Sequence, residues 1–192
     1  MLNGIVSHID MLPTLLAAAG NPDVAQQLRN GTTVGDQTYK VHLDGYNQIP
    51  YLTGEVKESP RNAIMYFSDD GDVMAVRVGD YKFHLAIQRA NTMRLWAEPF
   101  EKLRLPYIMN LRRDPLERAE YNSNTYMDWM VNHVPQMYLM QEVVAGQIAD
   151  FAAFPPRQKP AAFNLDAVLA QVTAATGEHA KPAKAATAGA KK

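Results

Sequence analysis

Residues 63 to 88 constrain the fold more than any other part of this chain. Ala63-Ile64-Met65-Tyr66-Phe67 reads as a strand, and Asp69-Asp70-Gly71-Asp72 supplies a hairpin turn. Residues 73 to 78 form the return strand, with Met74, Val76 and Val78 on one face. Gly79-Asp80 makes the next turn. Residues 82 to 88 then alternate, with Phe83, Leu85 and Ile87 on one side and Lys82, His84 and Gln88 on the other. A period of two sustained through two turns predicts an antiparallel meander with one dry face. Tyr107 to Leu111 adds a fourth strand, ended by Asn110-Leu111-Arg112-Arg113-Asp114-Pro115.

Helical spacing flanks the meander, so the class is α+β. At the start, Asp10 caps an apolar run of Met11, Leu12, Leu15, Leu16, Ala17 and Ala18, which Gly20 stops. Pro13 falls in its first turn, where a missing N–H costs little. Apolar almost all round, this helix is expected to be buried on more than one side. A second short helix starts at Asn21-Pro22-Asp23 and ends at Gly31. Val41 to Leu43 read as a strand end, Asp44-Gly45 as a turn, and Ile49 to Leu52 as one helical turn. A long helix is predicted from about 125 to 154, with Met130, Val134, Met137, Val144, Ile148 and Phe151 at helical spacing and Pro135 kinking or splitting it. Asn164 caps a last short helix over 165 to 172. From 176 onward the Ala/Lys-rich composition reads as a disordered tail.

Composition narrows the partners. A formal net charge of -1 gives no global field toward nucleic acid or an anionic membrane, and no apolar run is long enough to cross a bilayer. The expectation is no nucleic acid and no membrane. With no cysteine in the chain, disulfides, thiolate zinc sites and cysteine nucleophiles are all excluded. Met1 to Val6 lacks the basic and apolar regions of a signal peptide, and the compartment is left open.

The residues alone offer no catalytic centre. No two of the five histidines stand at metal-ligand spacing. Asp69, Asp70 and Asp72 lack the spaced ligands and distal Glu of a calcium loop and read as turn residues. Neither a phosphate loop nor a Gly-x-Ser-x-Gly elbow is present. No catalytic, cofactor-binding or metal-binding residue is therefore assigned.

Several motifs in order carry a resemblance. Ser7-His8-Ile9-Asp10-Met11-Leu12-Pro13-Thr14-Leu15-Leu16 with Gly20 resembles a helix of the sulfatase family. Leu43-Asp44-Gly45 with Pro50 and Leu52-Thr53-Gly54, then Tyr66-Phe67-Ser68-Asp69-Asp70-Gly71 with Arg77 and Lys82, resemble its next segments. Asn110-Leu111-Arg112-Arg113-Asp114-Pro115-Leu116-Glu117-Arg118 follows, and Phe154-Pro155-Pro156-Arg157-Gln158-Lys159-Pro160 is similar to a late motif of bacterial arylsulfatases. The resemblance implies an alkaline-phosphatase-like α/β fold of which this chain supplies the end. Residues 1–54 would close the large domain. Residues 55–175 would form a four-stranded antiparallel sheet packed on a long C-terminal helix, and 176–192 the tail.

The same resemblance implies what this chain lacks. The family's nucleophile is a formylglycine made from the first residue of a Cys/Ser-x-Pro-Ser-Arg motif, working beside a calcium ion. Ser59-Pro60-Arg61 is no substitute, because Glu58 stands in the wrong place and the second Ser is missing. Both groups are expected on a preceding part of the enzyme, which would be the partner, with an aryl sulfate ester as substrate. The chain alone is expected to be inactive. His8, Arg77, Lys82 and His84 are the candidates for lining a substrate entrance. Two alternatives stay open: a non-catalytic interaction module prone to self-association, and part of a phosphodiester or phosphonate hydrolase.

Overall fold

The computed structural model describes residues 2–155. The Asn164 cap, the helix over 165 to 172 and the tail from 176 lie outside the described residues. Among the described residues, no helix is long and apolar enough to cross a membrane.

A 3-10 turn, His8–Asp10, leads into helix α1, Met11–Ala18, and then α2, Val24–Asn30. Gly20 ends α1 with φ 97, as its position predicts. Against expectation, Asp10 makes no capping bond to α1; its carboxylate accepts from the Ser7 N–H in a capping box of the preceding 3-10 turn and serves a tertiary contact described below. Nor is α1 buried on several sides. Pro13 and Thr14 are buried, while Ile9, Leu12 and Leu15 are exposed, Leu15 to 65%.

Residues 31 to 48 also depart from the reading. Two short strands, β1 (Thr32–Val34) and β2 (Gln37–Tyr39), form a hairpin that the sequence reading missed. They are mostly exposed and polar, so no apolar alternation marks them. Val41 to Leu43 form no strand, because this segment runs on past the hairpin unpaired. Asp44-Gly45 is not a turn. A Cβ on Gly45 would lie 2.0 Å from the Ile9 carbonyl, so the glycine permits close backbone approach instead. The one-turn helix α3, Ile49–Leu52, is where expected.

The meander is present, but its fourth strand begins at Glu101, six residues before the expected Tyr107, where exposed residues hide the alternation. Strands β3 (Ala63–Phe67), β4 (Val73–Val78), β5 (Tyr81–Ile87) and β6 (Glu101–Asn110) form one antiparallel sheet in sequential order. Its dry face carries Val76, Val78, Phe83 and Ile108, all buried. A register shift between His84 and Ala86 breaks the simple alternation of β5, so Ala86 is buried where Leu85 is not.

The predicted long helix is split, as Pro135 requires. After α4, Ala119–Asn122, come α5 (Tyr126–Asn132), a 3-10 turn at Val134–Gln136, and α6 (Met137–Ala153). Tyr126 and Met130 of α5 enter the core, and the Tyr126 hydroxyl donates to the Ile108 carbonyl at 3.0 Å. Helix α6 adds Met137, Met140, Val143 and Val144 to the dry face. Ile148, placed on the apolar stripe from its spacing, is 62% exposed. Burying this face is the principal stabilisation of the sheet, at roughly 25 cal/mol per Å² of apolar area.

Candidate functional site

Two clusters of charged side chains stand out, and they differ in burial. The first lies beneath α1. Asp10 is fully buried and Arg61 nearly so. The Arg61 Nε donates to Asp10 Oδ2 at 2.8 Å, and its terminal nitrogen donates to Oδ1 at 2.5 Å, a two-pronged pairing. Arg61 also donates to the carbonyls of Asp44 and Ala63, and stacks 4.8 Å from the centre of the Tyr46 ring. Asp10 accepts further bonds from the backbone N–H groups of Ser7 and Tyr46 and from the Gln48 amide. Burial raises the Asp10 carboxyl, but Arg61 and these donors outweigh it and hold the group down to about 2. Both carboxylate oxygens are occupied, so this cluster ties loops together and leaves Asp10 no free acceptor for a ligand.

The second cluster sits on the face of the sheet opposite the core. Pairing sets Arg77 beside Lys82, Ala75 beside His84 and His84 beside Tyr107. Glu117 reaches over this face from the turn after β6. Its carboxylate accepts from Lys82 Nζ at 2.8 Å and meets His84 Nε2 at 2.5 Å. Lys82 also lies 4.7 Å from the centre of the Tyr66 ring. Glu117 has φ 54, a left-handed conformation unusual for a residue with a Cβ. Its backbone strain is held by the turn from Asp114, whose carboxylate accepts from Ala119 N–H at 2.7 Å.

Electrostatics fix the protonation of this trio. Burial and the Lys82 charge both lower the His84 pKa, outweighing Glu117, so His84 is neutral at pH 7. Burial pulls Glu117 up, yet Lys82 and then His84 hold it below the usual carboxylate range. An ionised carboxylate only accepts, so Nε2 carries the His84 proton and Nδ1 is left as an acceptor. No hydroxyl meets Nδ1 among the described residues. The arrangement can orient a polar or anionic group, but it carries no nucleophile of its own.

The four entrance candidates therefore separate. Lys82 and His84 share Glu117. Arg77 is on the same face, but its Nε donates to the Gly79 carbonyl, and it lines a cleft of about 420 Å³ with Tyr51, Lys57, Ser59, Arg61 and Asp80. His8 is exposed ahead of α1 and shares no hydrogen bond or ion pair with the other three. Glu117, within the Asn110–Arg118 motif, is a site residue that the sequence does not mark as one. A Glu in a turn two residues after a proline carries no local sign that it will bridge a strand. Arg61 was passed over as part of a false motif, and it is the central cation of the buried cluster.

The groups that the family resemblance implies do not fit these residues. Among the described residues, no group of three or more His, Asp or Glu could hold a metal ion. The Ser59 hydroxyl is committed to the Ile5 carbonyl at 2.6 Å, and the chain has no cysteine to oxidise.

No protein-family model matches the chain. Two curated proteins do resemble it: arylsulfatase A of Homo sapiens is 29% identical over 165 residues, and arylsulfatase A of Bos taurus is 30% identical over the same length. The aligned region is 80% of this chain and 29% of each relative, so the chain spans less than a third of their length. Over four-fifths of its length the chain is thus similar to arylsulfatase A, and that similarity supports a relationship with the sulfatases.

Proposed function

We propose that this chain is the C-terminal portion of an arylsulfatase, a sulfuric-ester hydrolase whose nucleophile and metal ligands are supplied by another part of the enzyme. The observation that carries the reading is the similarity to arylsulfatase A across 165 residues. The ordered motifs and the four-stranded sheet packed on a split helix support it. A narrower placement among bacterial arylsulfatases rests on the residues around Phe154-Pro155, since the two matched relatives are mammalian.

The α1 surface fits the same reading. Ile9, Leu12 and Leu15 recur at three-residue spacing and are exposed, and no Lys or Arg occurs before Arg29. An uncharged apolar ridge of this kind is suited to an apolar protein surface, here the remainder of the hydrolase. On this reading the Lys82–Glu117–His84 face lines an approach for an anionic ester. The reacting groups belong elsewhere. Enzymes lower barriers by about 8–23 kcal/mol, and oriented hydrogen bonds without a nucleophile or metal supply a minor share.

Two experiments test this. The reading frame upstream of, or adjacent to, the one encoding this chain should contain a Cys/Ser-x-Pro-Ser-Arg motif. Its product, mixed or co-expressed with this chain, should co-purify with it and hydrolyse an aryl sulfate. Hydrolysis of a phosphate diester or phosphonate instead, with no activity on aryl sulfates, would reassign the chemistry.

A further inference from the structure

The segment joining β5 to β6 is used by none of the foregoing. It leaves the sheet at Gln88 and returns at Glu101, and its tip is a 3-10 turn, Thr92–Trp96. Both ends of the base are pinned. The Gln88 amide donates to the Glu98 carbonyl at 2.9 Å, and Arg89 Nε donates to Glu101 at 2.5 Å. The base of the segment is therefore tied together, with the 3-10 turn between its ends.

What it exposes is apolar. Trp96 is 82% exposed and Met93 is 78% exposed, with Leu95, Phe100 and Leu105 also exposed. Single exposed apolar residues are ordinary, but Met93, Leu95, Trp96 and Phe100 put four within eight positions of one connecting segment, with Leu105 following in β6. Charge separates this patch from the α1 ridge. Residues 89 to 105 hold four basic and two acidic side chains, within a chain whose net charge is -1. Both acids are internally neutralised, Glu98 by Arg94 and Glu101 by Arg89. Lys102 and Arg104, at the start of the strand that the segment leads into, carry no ion pair among the described residues and are exposed. The global charge that argued against membranes thus conceals a local positive excess.

We infer that the segment joining β5 to β6, together with the first exposed residues of β6, is a docking surface for an anionic lipid interface. Trp96, Met93 and Phe100 enter the boundary between headgroups and chains, and Lys102 and Arg104 face the lipid phosphates. The composition favours a lipid surface over a protein groove. An aromatic ring flanked by basic side chains suits a layer that is apolar below and anionic above. Because the base is already pinned, little ordering cost opposes insertion. The inference does not rest on the sulfatase reading.

The test uses the full chain with sedimented vesicles of phosphatidylcholine, with and without phosphatidylglycerol. Binding to the anionic vesicles is expected, weakened by salt and accompanied by a blue shift of tryptophan emission. Trp96→Ser should weaken binding about tenfold, the value of burying one large apolar side chain. Lys102→Gln and Arg104→Gln should each weaken it about fivefold and leave the far-ultraviolet circular dichroism unchanged. Absence of binding by the unsubstituted chain would overturn the inference. So would equal binding by the Trp96→Ser variant, or light scattering showing that this substitution dissolves a dimer of the chain.

Discussion

The two charged clusters of this molecule contain similar chemistry and do different work. Asp10 and Arg61 are sealed off, and each of their polar atoms is spent on a fixed protein partner. Lys82, His84 and Glu117 are half-buried, and His84 keeps an unused acceptor. The first arrangement gives rigidity: it holds the segments around residues 7, 44–48 and 61 at one point. The second leaves capacity for an incoming group. Depth of burial, more than residue type, separates a structural ion pair from a candidate site.

That contrast can be broken by substitution. Arg61→Met should have the largest effect, a loss of about 3–5 kcal/mol, because it strands a buried carboxylate. Urea unfolding followed by circular dichroism measures it, and a loss below about 1 kcal/mol would place the pair with ordinary surface bridges. Acid should act next. The Asp10 carboxyl is lowered from 3.8 to about 2, so its contribution is present above pH 3.8 and is lost as pH falls toward 2. That difference is on the order of 2 kcal/mol. His84 and Glu117 are lowered as well, so each also loses its contribution as pH falls, His84 below about 6.5. Stability should therefore decline with acid in two stages, with no acid-side gain.

Smaller effects sharpen the comparison at the open cluster. Glu117→Gln should cost about 1 kcal/mol and lower the His84 pKa further, since Lys82 would then be opposed by Glu120 alone. Lys82→Met should change stability by less than about 1 kcal/mol and raise the His84 pKa. Proton NMR titration of the His84 ring reads both, and shifts in the same direction from the two variants would refute the trio as described.

How far the sequence carried these features follows from the range of the interactions. The sheet was legible because alternation is local and repeats: Val76, Val78 and Phe83 each announce their face through neighbours two positions away. The split at Pro135 was legible for the same reason, since the ring acts on its own backbone. Arg61 and Asp10 are 51 positions apart, and nothing near either one reports the other. The clamp on Lys82 and His84 comes from Glu117, more than thirty positions away. The exposure of α1 was not legible because an apolar helix has the same sequence whether or not the rest of the chain packs over it.

The central claim is that sulfate-ester chemistry needs groups this chain does not carry. It is tested most directly by incubating the purified 192-residue protein, in excess over an aryl sulfate and with calcium present, and measuring released phenol and sulfate. The account predicts release no faster than in buffer. Release that rises with protein concentration and is abolished by substituting a residue of this chain, such as His84→Ala or Lys82→Ala, would contradict it.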